Sequence, residues 1–362
     1  MKDCIGIINL DEKEYYLKEL IGSNTISAMP IAGRYRIIDF ILSNLTNSGV
    51  ECIGIFTKRK SYSLMKHLSN GRPWDLHRKH DALKVFNYSE YDPVYDDIHS
   101  FIENIEFIKY SRKEYIIISP SYMICNINYR EALEKHKTSG DDITVIYKNE
   151  DNSSNKFIKC EEIIIDDNGK VKSIKTILEG RGSTNVNMEM YIMKTSLFID
   201  IIRGSITTGL YKKVKEYIVD NLENLNVGIF EFKGYLSCIN SLESYFNTNK
   251  EILNVKINRE LFYENNPIYT KQKDESPTYY SKESKVNNSI IANGSYIEGK
   301  VENCIIGRKV KIAKGAIVKN SIVMENCIVQ NNTIINNAIL NSGNIVVENN
   351  VINGSSDYPT II

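Results

Sequence analysis

One stretch near the beginning of the sequence carries side chains able to hold an anion. Gly33-Arg34-Tyr35-Arg36 stands just ahead of an apolar-periodic run, so Arg34 and Arg36 would meet the amino end of a helix, where unsatisfied N–H groups and planar guanidiniums favour a phosphorylated ligand. Pairing with acidic neighbours would use the same charges without any ligand. Asn70-Gly71-Arg72-Pro73-Trp74-Asp75-Leu76 is a second polar loop, holding the single tryptophan. The opposite character appears at Asp11-Glu12-Lys13-Glu14, three carboxylates around one lysine. The five histidines (His67, His77, His80, His99, His136) never adopt a metal-ligand spacing and receive no ligand role. Seven cysteines (Cys4, Cys52, Cys125, Cys160, Cys238, Cys304, Cys327) are scattered, odd in number and free of any C-x-x-C, which speaks for reduced thiols in a cytoplasmic protein. Lys58-Arg59-Lys60 and His77-Arg78-Lys79-His80 are short basic runs best explained as solvated loops.

The elements that must position these residues come in two kinds. With 362 residues, at roughly 150 per domain, about two domains are expected. Basic and acidic residues balance at 45 each, so no global charge draws the chain to nucleic acid, and no stretch approaches the length of a membrane span. Over the first half, Ile5 to Ile8, Ile53 to Phe56 and Tyr115 to Ile118 read as buried strands. Between them, Ile37, Ile38, Ile41, Leu42 and Leu45 share one helical face, and Ile98, Phe101, Ile102, Ile105 and Ile108 share another. That alternation predicts βαβ crossovers and a mainly parallel sheet whose site opens at the carboxyl ends of the strands. Short strands are expected from Lys148 to Arg181, broken at Asp151-Asn152-Ser153-Ser154 and Asp166-Asp167-Asn168-Gly169.

Residues 255–284, with Pro267 and Pro277, many charges and little periodicity, read as a linker. Beyond it, aliphatic pairs recur, and their second members step through Ile306, Ile312, Val318, Val323, Val329, Ile335, Leu340, Val346 and Ile352, giving 17 residues per coil. Steps of about six residues with Asn and Gly between them mark a left-handed parallel β-helix, in which Asn tolerates the left-handed backbone at the corners. The expected organisation is therefore an α/β, Rossmann-like domain over 1–254, a linker over 255–284 and a left-handed β-helix over 285–362.

Three blocks then carry a family likeness. Gly33-Arg34-Tyr35-Arg36-Ile37-Ile38-Asp39-Phe40 with Leu42-Ser43-Asn44, then Asn70 to Leu76, then Asn104-Ile105-Glu106-Phe107-Ile108 with Glu114-Tyr115, resemble the bacterial glucose-1-phosphate adenylyltransferases over nearly the whole chain. The resemblance implies a GT-A-like nucleotidyltransferase domain before the β-helix, a tetrameric assembly and supply of ADP-glucose for glycogen. It also implies residue roles that this sequence has changed. Where active relatives carry a phosphate loop of the form G-G-x-G-x-R-L, this chain reads Asp11-Glu12-Lys13-Glu14-Tyr15-Tyr16-Leu17, with Tyr16 at the arginine position. A carboxylate about 4 Å from a phosphate charge costs about 1 kcal/mol in water and about 4 kcal/mol at an effective dielectric of 20. The two aspartates that bind Mg²⁺ in active relatives fall on Tyr122 and on Gly234-Tyr235-Leu236-Ser237-Cys238, which has no carboxylate. The lysine of the family's F-V-E-K-P block falls on Gly180, with Arg181 beside it, and another anion-binding lysine is lost at Ile26-Ser27-Ala28. By the same likeness Asn70, Gly71, Trp74 and Asp75 border a relic nucleotide pocket, and Arg34 and Arg36 lie near an effector site.

Four losses in an otherwise matching scaffold resemble the non-catalytic, GlgD-type subunit of this family, a pseudoenzyme that accompanies a catalytic adenylyltransferase subunit and alters its activity. No catalytic residue, no metal and no cofactor is then expected. The expected partners are the catalytic subunit in a heterotetramer, further copies of this chain, and a phosphorylated metabolite as effector, with neither nucleic acid nor membrane. Two other functions compete: an active glucose-1-phosphate adenylyltransferase using unusual residues, and a hexapeptide acyltransferase. The last lacks a histidine base, since none follows His136.

Overall fold

The computed structural model describes residues 1–10, 15–22, 24–57, 62–77, 82–87, 96–180, 182–356 and 358–362. Two compact units divide the chain: Met1–Lys13, Phe40–Cys238 and Asn266–Tyr269 form one, while Glu14–Asp39, Ile239–Asn265 and Thr270–Ile362 form the other. This division cuts across the linear boundaries at 254 and 284.

The first unit is built on a nine-stranded sheet. Its strands are β1 (Cys4–Asn9), β2 (Ile53–Thr57), β3 (Leu83–Asn87), β4 (Tyr115–Ser119), β5 (Ile143–Asp151), β6 (Glu161–Ile165), β7 (Val171–Thr176), β8 (Ser183–Lys194) and β9 (Val227–Glu231). The expected strands β1, β2 and β4 are present, and β2 and β4 are buried along their whole length, as strands covered on both faces must be. The order is β7-β6-β8-β4-β1-β2-β3, with β5 between β8 and β9 off that path. Strands β3, β2, β1 and β4 run parallel. The sheet as a whole is mixed rather than mainly parallel, because the twelve-residue β8 runs antiparallel to both β4 and β5. The hairpin of β6 and β7 falls where the sequence anticipates short strands.

Glycine sets one close approach in this layer. A Cβ on Gly54 of β2 would lie 2.7 Å from the Phe107 ring, so the bare backbone is what lets that ring sit on the strand. The single helical face expected from Ile98 to Ile108 is two helices, α1 (Asp97–Glu103) and α2 (Ile105–Ser111). Asn104 interrupts them, its side-chain amide donating back to the Ser100 carbonyl at 2.9 Å in competition with the helical ladder. Asp96 begins α1 by accepting the His99 N–H at 3.0 Å.

In the second unit, three five-stranded parallel sheets form the faces of the left-handed β-helix. Its interior is the expected stack: Ile306, Val318, Val323, Val329, Ile335 and Leu340 are all buried. Fully burying an aliphatic side chain of this size contributes about 1.5–3 kcal/mol, so the stack carries the unit. Asn303, Asn320 and Asn337 have positive φ at the same corner of successive coils, as anticipated. Coil length departs from a constant 17. The register advances 15 residues from Ile290 to Ile305, then 17 to Ile322 and 17 to Ile339, and the last partner of Ile339 is Ile361. The stretch expected to be a linker is helical at its start: Val255–Arg259 is α-helix, continued by a π-helical turn at Glu260–Glu264, and Tyr279–Tyr280 already pairs in the first coil. Only Leu261 of those helical residues is buried, while Val255 and Tyr263 are exposed, which is why no apolar period marks the segment.

Candidate functional site

The parallel strands β1 and β4 end side by side, at Asn9 and Ser119, and the chain beyond β4 turns through Pro120 and Ser121 to Tyr122. Asn9, Ser119, Tyr122, Glu189, Tyr191, Lys213 and Lys215 are among the residues that line a cavity there of about 60 Å³. Ligand pockets usually enclose about 300–1,000 Å³. Side chains of the chain itself take up the space.

Their arrangement starts from an irregularity in β8. Its pairing with β5 slips between Asn187 and Met190, and Glu189 takes a φ of 53°, a left-handed conformation unusual for a side chain of this kind. Asn187 holds this bulge: its Oδ1 accepts the Glu189 N–H at 2.9 Å, and its Nδ2 donates to Glu161 Oε2 at 3.0 Å. Both carboxylates then converge on Lys215, which donates to Glu161 Oε1 at 2.9 Å and to Glu189 Oε2 at 3.3 Å. The other Glu189 oxygen accepts the Tyr122 hydroxyl at 2.6 Å. Burial alone would lower the Lys215 pKa, but Glu189 and Glu161 outweigh it and hold the ammonium above its ordinary value. Burial, and then the Glu189 charge, push the Tyr122 phenol well above its own, so it stays protonated and keeps a proton to donate to Glu189. Also in the lining, Asn9 donates to the buried Asp97 at 2.8 Å.

The positions at which the family resemblance implies magnesium ligands meet in this unit. The short strand Ser237–Cys238 pairs antiparallel with Met123–Ile124, setting Cys238 opposite Met123, next to Tyr122. They bring a phenol and a buried thiol, not two carboxylates, so a hard divalent ion finds no anionic oxygen at either position. Among the described residues no group of three or more His, Cys, Asp or Glu is placed to hold a metal. Gly180 is also fixed by its surroundings. Its N–H donates to Asn155 Oδ1 at 2.8 Å, and a Cβ there would come within 2.0 Å of the Asn152 carbonyl oxygen, so no lysine fits on this backbone. Asp11, Glu12, Glu14 and Arg181 lie outside the described residues.

The remaining sequence candidates sit elsewhere. Tyr16 is half exposed, its ring edge-on to Tyr15. Asn70 accepts the Arg72 N–H at 3.2 Å, and Gly71 and Asp75, both at positive φ, bracket a 3₁₀ turn that buries Trp74 against His67. None of the four lines the cavity. Arg34 lies over the Tyr35 ring, 4.9 Å from its centroid, and donates to its hydroxyl at 2.7 Å. Arg36 donates to the Ala28 carbonyl and lies 3.7 Å from Glu325, whose other oxygen accepts from Lys273 at 2.8 Å. Burial raises the Glu325 carboxyl, yet Lys273, Arg36 and Arg308 more than offset this and hold it below its usual range. Arg36 is thus already engaged by an acidic neighbour. Glu161, Asn187, Glu189 and Lys215 were not singled out by sequence reasoning. The only local sign of them is a carboxylate placed inside an apolar strand, Asn187-Met188-Glu189-Met190.

Known proteins match both units. Residues 23–254 match the Nucleotidyl transferase family, and residues 276–357 match the "GlmU-like, C-terminal hexapeptide" family. The "Glycogen biosynthesis protein GlgD" of Bacillus subtilis is 34% identical over 86% of this chain and 81% of the relative. The protein of the same name from Geobacillus stearothermophilus is 35% identical over 87% and 82%. A "Glucose-1-phosphate adenylyltransferase" of Mycoplasma mobile is 28% identical over 88% and 84%.

Proposed function

The chain belongs to the nucleotidyl transferase family, in its glucose-1-phosphate adenylyltransferase branch of GlgD type, and from that premise we propose that it is a non-catalytic regulatory or structural subunit. Its role lies in glycogen biosynthesis, as the names of its relatives have it. The partner is a catalytic glucose-1-phosphate adenylyltransferase chain. The observation that carries this reading is the filled cavity: Tyr122, Glu189, Lys215 and Glu161 bond to one another where the strands would open to a substrate. A phosphoryl group entering there would meet three carboxylates, Glu161, Glu189 and Asp97, against the two ammoniums of Lys213 and Lys215, an excess of one negative charge that repels it by about 1 kcal/mol at 4 Å in water-like surroundings and by more where burial lowers the dielectric.

Such a subunit acts through its surface. Binding to one conformation of the catalytic partner in preference to another shifts that partner's population, and the coupling is limited by the difference in affinity. The β-helix offers exposed apolar side chains for this purpose: Ile334 and Val351 pair on one face and Ile345 stands on another, each more than a third exposed.

The test is to purify the chain with and without a catalytic homologue and to measure ADP-glucose formation from ATP and glucose 1-phosphate. The expected result is no turnover by this chain alone, co-purification of the two chains, and altered rate or effector response in the mixture. Turnover by the isolated chain would make it an active adenylyltransferase instead. Unchanged kinetics in the mixture would remove the regulatory role.

A further inference from the structure

The two carboxylates in the cavity come from different strands, Glu161 from the start of β6 and Glu189 from the bulge in β8, yet they address one point. Asn187 fixes both, one through a direct bond and the other through its backbone N–H. Two converging carboxylates with neutral oxygen donors nearby are what a hard divalent cation ordinarily collects. The point at which they converge is taken by the Lys215 Nζ, carried on α3 (Val214–Asp220). We propose that Lys215 is a tethered internal cation, which fills the position a divalent metal ion would otherwise take between Glu161 and Glu189 and holds the cavity shut without one. This deepens the non-catalytic reading and rests on it.

The arrangement has a definite chemical logic. The ammonium supplies one positive charge against two negative ones, and the Tyr122 hydroxyl donates into Glu189 to relieve part of the excess. Unlike an ion, it cannot be diluted away or chelated. With the central position occupied, neither carboxylate can turn toward an incoming metal without breaking a charge-assisted bond. Removing the ammonium while keeping its stem would leave two partly buried carboxylates with no counter-charge, and they would have to bind a cation or protonate.

Mn²⁺ is the probe, followed by electron paramagnetic resonance and by the melting temperature of the full-length chain. The wild type is expected to take up no Mn²⁺ that Glu189→Gln abolishes. Lys215→Met is expected to bind Mn²⁺ roughly tenfold or more tightly than the wild type and to melt higher in its presence. Adding Glu189→Gln to Lys215→Met should erase that gain. A wild-type Mn²⁺ site that Glu189→Gln removes would overturn the proposal, and this holds even if Lys215→Met does not fold. A folded Lys215→Met chain with no gain in Mn²⁺ affinity would overturn it equally. Neither result bears on the mixing kinetics, so the subunit reading can stand when this one falls.

Discussion

Asn187 shows how much one side chain of ordinary chemistry can organise. Its acceptor end steadies a left-handed backbone at Glu189, and its donor end orients Glu161, so the positions of both carboxylates follow from a single amide. Elsewhere in the same unit, His136 is buried, its Nδ1 2.9 Å from the Thr144 hydroxyl and its ring edge-on to Tyr115. Burial lowers its pKa below the ordinary 6.5, with Asp141 opposing the shift. The unfolded chain therefore binds the proton more readily than the folded one. Stability from this group is complete above about pH 6.5 and is lost as pH falls toward the lowered folded value. Urea titrations of the wild type and of His136→Gln between pH 5 and 7 should show the steeper acid loss in the wild type. At this scale the sequence is informative only where a familiar block pins a position. Tyr122 and Cys238 could be named in advance as the positions that the family likeness aligns with metal ligands, but Lys215 and Glu189 could not be named at all. Their meeting depends on a register slip in β8 and on strands far apart in the chain, neither of which leaves a local pattern.

Elements were more legible where periodicity is strong. The β-helix follows directly from its aliphatic steps, because every inward position must be filled and only small residues or Asn suit the corners. Asn288, Asn303, Asn320 and Asn336 also bond to each other from coil to coil, at 2.8, 3.2 and 3.0 Å, a ladder that composition suggests but cannot register. Asn320 combines a φ of 46° with two of those bonds. Asn320→Ala should therefore lose about 1–2 kcal/mol from the backbone conformation alone, and more with the ladder broken. Asn320→Gly, freed of the backbone penalty, should fall between Ala and wild type in thermal melts. The helical segment after residue 254 was missed for a complementary reason: a short helix that buries a single leucine has no period to detect.

For the whole molecule, the proposed role puts selection on outward-facing positions rather than on a catalytic centre. Ile345 is 58% exposed and Val351 is 57% exposed. Ile345→Lys and Val351→Lys should each leave stability within about 0.5 kcal/mol of the wild type, as exposed substitutions generally do. If these residues meet the catalytic chain, the same changes should weaken co-purification by tenfold or more. Ile345 and Val351 stand on two different faces of the β-helix, so equal retention of both variants by the partner would place the contact away from these positions on either face.

The coil-upon-coil pairing of residues 279–361 has a further consequence, for the way this part of the protein breathes. Among the described residues the strand-to-strand bonds of each rung run to the rung above and the rung below, so opening spreads along the stack from its outer members instead of bursting from the middle. Amide hydrogen exchange should accordingly trace a gradient: slowest at Ile312, Val318 and Val323, quicker toward Tyr280 on one side and Ile352 on the other.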